Sequence, residues 1–72
     1  MPRRRNRQEI AVGVRYRHRD EPNVTWEVIA VYVGVDGKQH AVLGSIADPT
    51  WRKTISVIEL ERGGHYARAM NG

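Results

Sequence analysis

Val24-Thr25-Trp26-Glu27-Val28-Ile29-Ala30-Val31-Tyr32-Val33 is a run dominated by β-branched and aromatic side chains, and Gly34-Val35-Asp36-Gly37-Lys38 follows it. Side chains of these types suit a pleated, half-buried surface. Their χ1 stiffness argues against a short buried helix, the other structure such an apolar run can take. A period of two puts Trp26, Val28 and Ala30 on one face and Ile29, Val31 and Val33 on the other. Both faces turn apolar along the second half, as in a long strand that bends and buries each face in turn. Asp36-Gly37 then supplies the positive φ angles of a tight hairpin turn.

The neighbouring segments repeat the pattern. Residues 40–46 return as the next strand, with Ala41 and Leu43 on one face and Val42, Gly44 and Ile46 on the other. Asp48-Pro49 marks a turn. Residues 51–57 alternate again, with Trp51, Lys53, Ile55 and Val57 opposite Arg52, Thr54 and Ser56. Residues 58–61 suit one helical turn, which Gly63 and Gly64 would end, and residues 66–70 make a last short strand. Upstream, Val14, Tyr16 and His18 alternate with Arg15, Arg17 and Arg19, and Asp20-Glu21-Pro22-Asn23 breaks the strand.

Five short strands joined by turn signals predict an all-β fold that closes its edges, either a small barrel or a sandwich. Their spacing resembles the SH3-like barrels, including the Tudor-type modules. In that resemblance residues 14–19, 24–33, 40–46, 51–57 and 66–70 are the five strands, and a short helical turn precedes the last one. The chain also resembles short bacterial proteins that open with Gly-x-x-Tyr-x-His, here Gly13, Tyr16 and His18. The expectation is a five-stranded SH3-like barrel over residues 11–72, preceded by a disordered basic arm over residues 1–10.

The chain has 72 residues and no cysteine, so it holds one domain with no disulfide and no thiolate metal site. A domain of this size buries only about 60% of the surface its unfolded chain exposes. The longest apolar run, residues 28–33, falls far short of the ~20 residues a membrane span needs. Arg3, Arg4, Arg5 and Arg7 are followed by Gln8 and Glu9, so no signal-peptide apolar stretch follows the basic residues. A cytoplasmic protein without a membrane partner is expected. The net charge of +4 is uneven. Residues 1–9 carry four arginines and one glutamate, and the remainder is nearly neutral. Ten of the twelve basic residues are arginine, which contacts phosphate bidentately and stacks on flat rings as lysine does not.

No catalytic constellation stands out. His18, His40 and His65 have no local partner at ligand spacing, and a zinc site would require all three to converge. Ser45 and Ser56 lack the Gly-x-Ser-x-Gly turn, and the glycines match no phosphate-cradling motif. A 72-residue barrel leaves little room for a deep pocket. A non-enzymatic binding module without cofactor or metal is expected.

Its ligand surface has two readings. In the first, Arg15, Arg17 and Arg19 project from one strand face, Arg3, Arg4, Arg5 and Arg7 add the arm, and Arg52, Lys53 and Arg68 extend the patch. Together they would contact the phosphates of DNA or RNA. In the second, the arginine row is a solvated face paired with acidic neighbours. The chain would then be a protein-interaction module, a peptide-binding adaptor or a homodimer, with an exposed apolar patch at Trp51 and Val57. Tyr16 and Trp26 fall on inward faces, which leaves Trp51 as the best candidate for an exposed aromatic. One exposed tryptophan does not make the aromatic cage by which Tudor-type barrels hold methylated side chains.

Overall fold

The structure, a computed structural model, describes residues 10–69. The arginines of the expected arm, and Met70 at the end of the expected last strand, lie outside the described residues. The elements in chain order are β1 (Arg15–His18), β2 (Glu21–Val33), β3 (Gln39–Ser45), β4 (Arg52–Ser56), α1 (Val57–Arg62) and β5 (Tyr66–Arg68). The strands form one antiparallel sheet in the order β4-β3-β2-β1-β5. The sheet is not closed: β4 and β5 are its two edges, and α1 packs against β3, β4 and β5. No helix among the described residues is long and apolar enough to cross a membrane.

One sheet face and α1 enclose the core. Tyr16, Trp26, Val28, Ala41, Leu43, Val57, Leu60 and Tyr66 are buried there, and Ile10, Val14, Val24, Val31 and Ile55 pack around them. Ile10 therefore belongs to the folded unit and not to the arm. Val28 and Leu43 face each other across β2 and β3 and are fully buried, each contributing about 1.5–3 kcal/mol over exposure.

A bulge and a larger irregularity shape β2. Val28 pairs with Leu43 and Ala30 with Val42, so Ile29 has no partner in the ladder. The extra residue shifts the alternation by one. Val31, expected opposite Trp26 and Val28, thereby joins them on the core side, paired with buried Ala41. The two apolar faces of this segment thus reflect a bulge. At the other end of β2, Arg17 pairs with Thr25 but His18 with Glu21. Residues 21–23, expected as a turn, are part of the strand. Pro22, with no N–H to donate, sits within this irregular stretch, where strands tolerate proline.

The connections follow local chemistry. The β2–β3 loop is closed by Gly34 N–H donating to the Lys38 carbonyl at 2.8 Å, and Gly37 takes φ 80°. In α1, Ser56 Oγ accepts from the Glu59 amide at 3.2 Å as N-cap, and Gly63 at φ 73° ends the helix. Gly13, at φ 97°, turns the chain into β1.

Candidate nucleic-acid interface

The sheet face away from the core carries most of the chemistry. On this side the register aligns Arg15 of β1, Glu27 of β2, Gly44 of β3 and Arg52 of β4 in one row across four strands. Arg17 and Thr25 make the next pair on the same face. Arg15 Nε lies 3.4 Å from Glu27 Oε1, with the arginine side chain 45% exposed. Exposed pairs of this kind contribute little to stability, so the guanidinium remains available to an incoming anion. Arg17 Nε donates to Thr25 Oγ1 at 3.4 Å, and Arg52 Nε donates to the Pro49 carbonyl at 3.3 Å. Each contact uses one donor of a five-donor fork and holds the side chain on the face.

Gly44 leaves the middle of the row without a side chain. The Ile29 side chain lies against that gap, and its methyl carbons would stand 3.6 Å from a Cβ at Gly44. An open groove of about 230 Å³ results, lined by Glu27, Ile29, Gly44, Ile46, Pro49 and Arg52 among others. Ile29 supplies this floor: it follows buried Val28 and faces outward by alternation, and the bulge after it changes the facing only of the residues beyond. Toward the β2–β3 hairpin, Tyr32 pairs with His40 on the same face, their rings stacked with centroids 5.5 Å apart. His40 also meets Asp36 Oδ1 at 3.4 Å. The Lys38 amide and the His40 ring hold the Asp36 carboxyl below its ordinary value.

The remaining expected site residues are dispersed. Arg19 follows the β1 irregularity, and its Nη2 donates to the Gly63 carbonyl at 3.0 Å, toward the α1–β5 connection. It leaves the row that Arg15 and Arg17 begin. Lys53 pairs with Leu43, on the core side of β4. Its ammonium sits 4.4 Å over the Trp26 ring and 3.1 Å from Tyr66 Oη. The expected union of Arg52 and Lys53 in one patch is corrected: adjacent strand residues point to opposite faces. Arg68 is opposite Tyr16 on the core side and bonds its hydroxyl, so it does not extend the patch either. Val57, expected exposed, is the first residue of α1 and is buried in the core. Trp51 is 57% exposed, so an apolar patch would have Trp51 without Val57. Arg3, Arg4, Arg5 and Arg7 lie outside the described residues.

The histidines do not converge. His18 and His65 stack at 5.8 Å beside Tyr66, and His65 Nδ1 lies 2.9 Å from Glu59 Oε2. His40 is at the β2–β3 hairpin instead. Among the described residues no group of three His, Asp or Glu side chains has the placement to hold a metal ion.

Sequence reasoning missed the groove and the Tyr32–His40 pair. The pair was one residue away: counting back from Asp36-Gly37 as a two-residue turn brings residue 32 opposite residue 41, whereas the loop of residues 35–37, closed between Gly34 and Lys38, brings it opposite His40. The bulge left no such signal. No protein-family model, curated protein or solved structure matches the chain.

Proposed function

We propose that the protein is a non-enzymatic binding module that contacts nucleic acid through the outer face of its sheet. The observation that carries this reading is the placement of Arg15, Arg17 and Arg52 on one exposed face, where Glu27 is the carboxylate within their row. Guanidinium forks match phosphate oxygens, and each phosphate neutralised releases condensed counterions. The basic arm, with Arg3, Arg4, Arg5 and Arg7, adds sequence-independent attraction. The strand order, with β5 beside β1 and a helical turn before it, supports reading the fold as SH3-like. The three residues of the Gly-x-x-Tyr-x-His pattern each have a place in the fold: Gly13 takes a positive φ, Tyr16 is core, and His18 packs edge-on against Tyr66.

The test is retention on duplex and single-stranded DNA and RNA as salt is raised. Affinity should fall steeply, and deleting residues 2–7 should flatten the dependence. Absence of binding at low salt would remove the reading. A second reading, a protein-interaction module, is favoured by the two unpaired edges β4 and β5 and by exposed Trp51 and Ile58. A strand added to either edge is a known recognition mode. Light scattering that gives a dimer abolished by a proline within β4 would support it.

A further inference from the structure

We infer that the outer face takes single-stranded nucleic acid, with one unpaired base in the Gly44 groove and another stacked on Tyr32. The inference rests on the proposed nucleic-acid contact and specifies its partner. Three features of the face separate a single strand from a duplex.

The first is shape. A duplex is read by an element that protrudes into a groove, such as a helix or a β-ribbon. This face is recessed at Gly44 instead. The notch of about 230 Å³ has an apolar floor and wall of Ile29, Ile46 and Pro49, with Arg52 at its side. An apolar notch suits the flat faces of a base, and a guanidinium plane at its side can stack on one. Neither is available to a base inside a duplex.

The second is the aromatic pair. Tyr32 is 46% exposed and stacks on His40. It lies three residues along β2 from Ile29, about 10 Å at the strand rise. An exposed ring on a sheet face is a stacking platform for an unpaired base. The Asp36 carboxylate and Gly34 fix the His40 ring behind it: a Cβ at Gly34 would come within 2.9 Å of that ring.

The third is Glu27. Glu27 lines the groove between Arg15 and Arg52, its carboxylate 3.4 Å from Arg15 Nε. Against a duplex backbone it would face phosphate and repel it. Against a base in the groove it accepts a hydrogen bond from an exocyclic amine, as carboxylates do from cytosine N4. Arg15, Arg17 and Arg52 then serve the flanking phosphates.

The experiment is fluorescence anisotropy at low salt with a short single-stranded oligonucleotide, the duplex of the same length, and an abasic strand of equal phosphate number. The single strand should bind roughly tenfold or more tightly than either competitor. Tyr32→Ala and Gly44→Leu, the second filling the groove, should each weaken the single strand roughly tenfold and leave the abasic strand unchanged. Both positions are outside the core, and circular dichroism with thermal melting checks that each variant folds. Equal affinity for the three probes, or variants that bind the single strand as the parent does, would overturn the inference and leave phosphate contact standing. Failure of all three probes to bind would overturn the proposed function together with it.

Discussion

Lys53 Nζ donates to Tyr66 Oη at 3.1 Å and so joins β4 to β5, the two strands that the hydrogen-bond ladder leaves at opposite edges of the sheet. The ammonium rests over the Trp26 indole, 4.4 Å from its centroid. One side chain thus spans the opening with an ionic hydrogen bond and a cation–π contact. Lys53→Met keeps the apolar stem and removes both. The expected loss is about 1–2 kcal/mol in urea unfolding. Tyr66→Phe should be less costly, and the double variant should lose less than the sum of the two. Strict additivity would show that the bridge carries no energy.

Two glycines should respond oppositely to alanine. Gly63 ends α1 at φ 73°, where a Cβ is strained. Gly63→Ala should cost about 1 kcal/mol. Gly44 lies in regular strand β3, and a new Cβ would meet only Ile29 methyl carbons at ordinary contact distance, 3.6 Å. Gly44→Ala should be neutral or stabilising by up to about 1 kcal/mol, because it restricts the unfolded chain. Thermal melts of the two variants distinguish these outcomes, and equal losses would contradict the backbone assignment.

Tyr16 links stability to alkaline pH. Burial raises its phenol above the usual 10.0, against the opposing charge and hydrogen bond of Arg68. The unfolded chain releases this proton at the ordinary value, while the folded chain retains it. The stabilisation is therefore complete below pH 10.0 and is lost as pH climbs through the higher folded value. Urea midpoints of the parent should fall faster above pH 10.0 than those of Tyr16→Phe. Parallel curves would mean that Tyr16 ionises equally in both states.

Much of the sheet was legible in the sequence because period-two alternation and turn residues act locally. β1, β3 and β4 lie within a residue of their expected ends. The hairpin turn and the Gly63 helix stop follow from the backbone preference of Gly37 and Gly63, both at positive φ; Asp36, expected to share the positive φ, does not. The faces of β2 beyond Val28 were not legible. A bulge is set by how the strand twists against β3, a tertiary condition with no local signature. The groove was hidden for a related reason: it requires the β2–β3 register that brings outward Ile29 beside the missing side chain of Gly44. Val57 shares the alternation face of Lys53 and Ile55, and the pairing of these two with Leu43 and Ala41 makes that the core side; the strand's own pattern does not say which of its faces meets the core. Ser56 caps α1, and Val57 is buried as its first residue. Arg19 left the arginine row because the irregularity after Arg17 ends the strand's period.

The salt dependence of oligonucleotide binding tests the outer-face claim most directly. The parent is compared with a variant in which Arg15, Arg17 and Arg52 are all replaced by glutamine. Three phosphate contacts at about 0.7 each predict a log–log slope shallower by about 2 for a single strand, with weaker binding at every salt concentration. A variant with the parent's slope and affinity would show that these three arginines touch no phosphate, and the proposed interface would be wrong.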